Sequence, residues 1–562
     1  MTLLAAVVGL VGGFGAIGFR HLIDLVQAMA YGDSGNLLEQ IRFVPWYVRI
    51  AAPALGGLAV GLLIYFFARE AKGHGVPEVM EAVALRSGII RKRVVFVKSL
   101  ASAISIGTGG SVGREGPIVQ IGSAIGSSLG QVLKVSADRI RTLVGCGAAA
   151  GIAATFNAPI AGSMFALEIV LGDFGLATFS PIVISAVTAT AVSRHFLGNT
   201  PAFIVPAYHL VSFWELPVYV VLGIFCAFTA VTFTRSLYAT EDLFDRVRIP
   251  EYVKPVIGGG LLGGMGLFLP HVLGVGYPGM DLALLQNLSW WVMFLLVLFK
   301  IVATSITIGS GGSGGIFAPS LFLGCMAGGF FGTVAHTLFP GLTASPGAYS
   351  IVGMGAVVSG TTHGPLSAIL ILFEMTGDYK IILPLMIACI ISTLVSRQIL
   401  PDSIYTLKLA RRGVNIRAGK EVNVLRSILV KEAMKTDVET IPENLPLGIL
   451  ARRISKSKYN SFPVVDEHGR LSGILSYMDY HDVVFDEDLE HLVVAKELAT
   501  PKVVTVNANE TIYDALEKIT SRDFSILPVV SQEDPARMLG VLTRRDIMSA
   551  YDGAVKKRSV FD

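Results

Sequence analysis

Up to about residue 400 the chain returns again and again to long, nearly charge-free apolar runs, the plainest being Thr2–Phe19, Ile50–Ala68, Leu216–Thr234, Val253–Leu269, Leu288–Phe299 and Ile381–Ser396. Several reach the ~17–25 residues that a helix needs to cross a bilayer. Others are shorter, or interrupted by Gly and Pro, which membranes tolerate only where the exposed backbone lines a cavity or is buried in protein. With 52% of residues hydrophobic and only 15% charged, the chain falls outside the range of soluble domains. The expected fold is an α-helical polytopic membrane protein held in a lipid bilayer.

The formal charge is +3, with no block of like charge, so neither a nucleic-acid partner nor an acidic tail is expected. Cys146, Cys226, Cys325 and Cys389 lie in apolar stretches and never form C-x-x-C, which excludes a disulfide framework and a zinc site and leaves them as small core residues. Thr2–Phe19 lacks a basic leader and a cleavage signal, so it is expected to be a membrane helix. Whether another helix precedes it is left open.

Beyond Pro401 charge becomes frequent and the 421–562 region reads as a soluble α/β unit. Basic residues cluster at Arg91-Lys92-Arg93 and Arg411-Arg412, which predicts cytoplasmic loops and a cytoplasmic tail in a plasma or inner membrane. The expected layout is a membrane domain over 1–406, a linker over 407–428, basic from Leu407 to Lys420, and two tail units over 429–486 and 495–553.

Both parts repeat internally. Gly110-Ser111-Val112-Gly113-Arg114-Glu115-Gly116-Pro117 matches Gly312-Ser313-Gly314-Gly315-Ile316-Phe317-Ala318-Pro319, and Gly122 and Gly126 then meet Gly324 and Gly328. Pro159–Glu168 parallels Pro365–Glu374, each preceded by a G-x-G-A motif at Gly145 and Gly353. The membrane domain is thus a duplicated half, over about 50–200 and 250–400. Duplicated halves with Gly/Pro breaks at matching positions point to a midplane site made of broken helices. Helix N-termini offer unsatisfied N–H groups and a positive dipole end, so an anion is the natural ligand, although helix C-termini could serve a cation in the same way. In the tail, Phe462-Pro463-Val464-Val465 and Gly473-Ile474-Leu475-Ser476 with Asp479 recur as Leu527-Pro528-Val529-Val530 and Gly540-Val541-Leu542-Thr543 with Asp546.

Gly73-His74-Gly75-Val76-Pro77-Glu78, Gly113-Arg114-Glu115-Gly116-Pro117 and Gly315-Ile316-Phe317-Ala318-Pro319, in this order, resemble the CLC chloride channels and proton/chloride exchangers, and the tail resembles a tandem CBS pair. The resemblance runs from about Gly56 to the end. It implies a CLC-type inverted repeat of broken helices plus an α/β CBS pair, a homodimer with one anion pathway per subunit, and no enzymatic activity or required cofactor. The anion-binding set it implies is His74, Gly113, Arg114, Gly116, Gly315, Ile316, Phe317 and Tyr405, with central contacts from the Ile316 and Phe317 amides and the Tyr405 hydroxyl. Glu115 becomes the gating glutamate, whose carboxylate competes with chloride until it is protonated, consistent with ionisable groups inside membranes being functional. The bland reading is a carboxylate paired with Arg114.

Two positions depart from the family. His74 stands where serine is usual; either its imidazole donates to the anion, bringing pH sensitivity, or it turns away and backbone amides hold the ion. Ile169 follows Glu168 where proton-coupled members carry an internal glutamate. Its hydrocarbon cannot take a proton, which favours a channel-like or weakly coupled protein over an antiporter using another proton route. Glu168 and Glu374, at matching positions, are expected to have a structural role, capping helix ends or pairing with buried donors. Asp173 and Asp378 read as loop residues.

Ser476, Asp479, Thr543 and Asp546 match the element with which CBS domains hold adenosine ribose, so ATP, ADP or AMP is one candidate ligand and helix capping the alternative. A divalent-cation transporter with CBS domains would want more membrane acidic ligands than this chain offers. An intramembrane enzyme built on the 309–315 glycine run lacks a P-loop Lys-Ser/Thr and a nucleophile elbow.

Overall fold

Seven described helices are long and apolar enough to cross a bilayer in a computed structural model of the chain: Thr2–Tyr31, Trp46–Phe67, Leu176–Leu197, Phe213–Arg246, Trp290–Gly309, Phe317–Leu338 and Tyr379–Ile399. The structure describes residues 1–32, 35–198, 211–414, 425, 428–457, 459–481, 483, 489–522 and 524–560. Leu176–Leu197 and Phe317–Leu338 escape the hydropathy reading because Ser, Thr and Gly dilute their apolar character. The Val253–Leu269 run yields the 15-residue helix Lys254–Phe268, short for a span.

Helices that stop and restart set the geometry. Arg93–Gly107 gives way to Glu115–Val132, and Trp290–Gly309 to Phe317–Leu338. At the breaks Gly109 and Gly311 take φ of +99° and +106°, which a side chain would strain. Each restarted helix then packs against the next through glycine. A Cβ at Gly147 would lie 1.9 Å from Gly122 O, and one at Gly353 would lie 2.3 Å from Gly324 O. The repeat is therefore in register at Gly147 and Gly353, two residues away from the match of the G-x-G-A motifs at Gly145 and Gly353, because the backbone contact is what recurs. Such close approach is how helices associate where lipid removes the hydrophobic drive.

A third repeated element, present in the sequence as G-x-G-x-P at two places, gains its meaning in space. Lys98 Nζ donates to Ala71 O at 3.0 Å and Gly73 O at 2.7 Å, while Lys300 Nζ donates to Val272 O and Gly274 O, both at 3.0 Å. Both lysines are fully buried, so each carbonyl cage satisfies a cation that could not be left bare. They mark Gly73-His74-Gly75-Val76-Pro77 and Gly274-Val275-Gly276-Tyr277-Pro278 as counterparts.

Glu168 and Glu374 cap helix ends, each across the repeat. Glu168 accepts from Leu366 N at 3.1 Å and Ser367 N at 2.7 Å; Glu374 accepts from Ile160 N at 3.1 Å and Ala161 N at 2.7 Å. Each thus meets orphan N–H groups at the other half's helix start. The four cysteines are free and buried.

The chain divides into the units Met1–Val414 and Asn415–Asp562. Thr406–Arg411, which overlaps the segment expected to be linker, is helical in the first unit; residues 415–424, 426 and 427 of that segment lie outside the described residues. In the second unit two three-stranded sheets form, in the orders β1 (Ile441–Pro442), β2 (Ser461–Val465), β3 (Leu471–Ser476) and β4 (Val506–Asn507), β5 (Ile526–Val530), β6 (Met538–Thr543). Pro463 and Pro528 sit in central strands because the parallel neighbour starts one residue later, at Val464 and Val529. The two cores exchange segments. Val430 packs with Val506, Ile512 and Val529, whereas Ala495 packs with Ile441, Leu447 and Val464.

Candidate functional site

The three motif loops meet through their backbones. Gly113 N donates to Gly315 O at 2.7 Å and Gly315 N to Gly113 O at 2.6 Å, while Gly73 N reaches Gly312 O at 3.1 Å and Gly314 N reaches Gly73 O at 3.3 Å. Added side chains would not fit: a Cβ at Gly116 would lie 2.2 Å from His74 O, and one at Gly315 would lie 2.7 Å from Gly116 N. The amides of Gly113 and Gly315 are committed to each other, so these two glycines contribute close approach and not donors. Helices begin here at Val76, Glu115 and Phe317, so three N-terminal ends with orphan N–H groups converge.

Glu115, 1% exposed, opens the second of these helices. Its Oε1 accepts from Tyr277 Oη at 2.7 Å. Oε2 is buried without a hydrogen-bond partner among the described residues and lies where a Cβ on Gly113 would come within 2.2 Å. Arg114 forms no ion pair with it; the guanidinium stands over the Tyr277 ring, 5.2 Å from its centroid.

His74 and Tyr405 are both buried, with ring centroids 5.7 Å apart. Tyr238 Oη donates to Ile404 O at 2.6 Å and approaches His74 Nε2 at 3.4 Å. Because that hydroxyl gives its one proton to Ile404, His74 Nε2 is the donor in the longer contact. His74 Nδ1 is buried and has no partner among the described residues. The Phe317 ring packs against Phe156 at 5.8 Å and Phe165 at 6.1 Å. Tyr238 and Tyr277 were not legible in sequence: Tyr238 stands mid-helix with no motif around it, and only the match of Gly274–Pro278 to Gly73–Pro77 could have flagged Tyr277.

Ile169 sits in a π-helical turn, Ala166–Leu171, buried against Gly364, where a Cβ would lie 2.9 Å from its Cδ1. Ser313 in the glycine run donates to Ala71 O at 3.0 Å and accepts from Ser102 Oγ at 2.9 Å, a structural use of the hydroxyl. Both basic clusters border one cavity of about 330 Å³, lined among others by Glu70, Glu78, Arg91 and Arg412. There Glu78 pairs with Lys408 at 3.1 Å and Arg412 at 3.4 Å, tying the Thr406–Arg411 helix to the helix that follows His74.

In the tail, Ser476 N and Oγ donate to Asp479 Oδ2 at 2.6 and 2.7 Å. Thr543 N and Oγ1 donate to Asp546 Oδ2 at 3.1 and 2.5 Å, and Lys435 Nζ lies 2.9 Å from Oδ1. Burial opposes ionisation of Asp546, but the Thr543 and Lys435 hydrogen bonds outweigh it and hold the carboxyl below its usual range.

The family description "Voltage gated chloride channel" matches residues 56–397. The chain belongs to this family. The CBS domain description matches 430–485 and 495–553. A putative chloride channel protein, ClcB-like, of Ralstonia nicotianae is 37% identical over 73% of this chain and 97% of its own length. The H(+)/Cl(-) exchange transporter ClcA of Salmonella arizonae is 33% identical over 73% and 88%. Among solved structures, a slow cyanobacterial Cl-/H+ antiporter superposes with a TM-score of 0.67 at 28% identity, covering 73% of this chain and 97% of that one. A eukaryotic CLC transporter covers 97% of both chains at a TM-score of 0.65 and 19% identity, a likeness of fold alone. The chain is thus a multi-pass integral membrane CLC protein with a pair of CBS domains.

Proposed function

We propose that this CLC protein carries chloride or a similar small anion across the membrane, with Glu115 as a protonatable gate. The observation that carries the reading is the convergence of three helix N-termini around one buried carboxylate. Orphan amides draw an anion, and an ionised carboxylate competes for the same place until protonation removes its charge. The Ile316 and Phe317 amides and the Tyr405 hydroxyl take the central anion, and His74 joins them only as imidazolium, when Nδ1 also carries a proton; Gly113, Arg114, Gly116 and Gly315 shape the loops around the gate. The protein works as a homodimer of independent pathways, with the membrane domain over 1–406 and the CBS pair, 429–486 and 495–553, in the cytoplasm.

Coupling to protons is weak in this reading, since Ile169 is hydrocarbon packed against backbone. A second reading, full chloride/proton exchange, is favoured by the names of the Salmonella and cyanobacterial relatives, and it needs another proton route, for which His74 is the candidate. Purified protein in proteoliposomes, with chloride efflux and internal pH recorded with and without a protonophore, separates the two. Fast efflux with little proton movement is expected. Uphill proton movement driven by chloride would establish the exchanger, and absence of any anion flux from folded protein would sink both.

At the CBS pair an adenine nucleotide would have to share Asp479 and Asp546 with the caps they already serve. Calorimetry of the whole protein with millimolar ATP, ADP and AMP is expected to give only weak heats, because those carboxylates already accept from Ser476 and from Thr543 and Lys435. Saturating binding at micromolar concentration would show that the caps open readily.

A further inference from the structure

Outside the motifs, the side chain that touches the gate is Tyr277. It opens the short helix Tyr277–Leu284 right after Gly276, whose φ of +97° suits glycine alone. From there its hydroxyl crosses to the other repeat and donates to Glu115 Oε1 at 2.7 Å. Among the described residues this is the one side-chain hydrogen bond that Glu115 receives. Arg114 stacks on the Tyr277 ring at 5.2 Å, and both side chains border a cavity of about 220 Å³ that Arg20, Asp24 and His271 also line.

We propose that Tyr277 is the latch of the gate: its hydroxyl holds the ionised Glu115 carboxylate across the anion path and sets how readily a proton or an anion displaces it. The inference rests on the reading of Glu115 as the gate. A phenol donating to a carboxylate makes a charge-assisted bond, and the same pair is weaker once the carboxyl is neutral. The latch therefore stabilises the ionised, blocking state selectively. The groups that face this carboxylate are Arg114 at the start of its own helix, Tyr277 from the other repeat and Tyr405; Arg20, Asp24 and His271 line the neighbouring cavity with Arg114 and Tyr277. A purely structural need for the hydroxyl is answered by the fold itself. The counterpart of Tyr277 in the other half is Val76, buried at 1% exposure, so the repeated turn forms equally well around hydrocarbon.

The test is chloride flux against pH in proteoliposomes for wild type, Tyr277→Phe, Glu115→Ala and the double variant. Phenylalanine keeps the ring under Arg114 and removes the hydroxyl, which donates to Glu115 and also meets the Arg114 side chain. Tyr277→Phe is expected to reach half-maximal flux at about tenfold lower proton concentration, because loss of a hydrogen bond to a charged group changes such an equilibrium by about that factor. In the Glu115→Ala background the same substitution is expected to change nothing. A wild-type pH profile for Tyr277→Phe overturns the latch, as does an equal shift in the absence of Glu115. Should the Phe protein fail to fold, Tyr277→Val, which copies the other repeat, is judged on the same two criteria. If wild type itself carries no anion, the functional reading has failed; if wild type carries anion under Glu115 control and Tyr277→Phe matches it, only the latch has failed.

Discussion

Glu115→Gln is expected to make anion flux independent of pH across about pH 5–8 and to lower proton movement by about tenfold or more. The amide has the shape of the carboxyl, keeps an oxygen to accept from Tyr277 Oη, and cannot change charge. It therefore imitates the protonated gate at every pH, leaving the amides of Ile316 and Phe317 open to the anion. The measurement is chloride efflux and internal pH from the same vesicles. Flux that still rises with acidity in Glu115→Gln would move the gate elsewhere, and His74, buried beside Tyr405, would be next to examine. Because Glu115 has no ion-pair partner among the described residues, its replacement should cost little stability, so a changed pH profile in protein of wild-type melting temperature reports function.

Gly116→Ala is expected to have the largest effect on the structure itself. The added Cβ would stand 2.2 Å from His74 O and 3.0 Å from Gly315 Cα, both backbone atoms that no rotamer change can move aside. Overpacking in cores costs about 1–3 kcal/mol where side chains can give, so here the penalty should lie at or beyond about 3 kcal/mol. The variant is expected to melt well below wild type in detergent and to carry no measurable anion flux. Gly260→Ala is the control, since nothing lies within 4 Å of a Cβ there and the helix interior gains about 0.5–1 kcal/mol from alanine. Equal melting temperatures for the two variants would mean that the loops do not close on one another as described. The contrast also separates glycines kept for contact from those that are incidental, a distinction that composition cannot make.

Sequence by itself was enough for the membrane class, the two repeats, the three motif loops, the tandem tail units and the family. These are carried by local pattern: charge-free length, Gly and Pro at fixed spacing, and strand-like runs recurring at matching offsets. It also anticipated a structural role for Glu168 and Glu374, as caps or as partners of buried donors, because paired positions in a repeat imply a shared structural duty. What only the tertiary structure decided is which distant groups meet. That Glu168 caps the helix of the other half, that Gly147 and not Gly145 matches Gly353, and that Val430 and Ala495 each complete the neighbouring core all depend on contacts between segments far apart in the chain. Tyr238 was hidden for the same reason, and Tyr277 was signalled by nothing but the G-x-G-x-P match of its loop to Gly73–Pro77. A lone tyrosine has no periodicity to betray it, and its hydroxyl acquires a role only when folding brings it, from a position 162 residues away in the case of Tyr277, to the one carboxylate that a membrane interior leaves half unsatisfied.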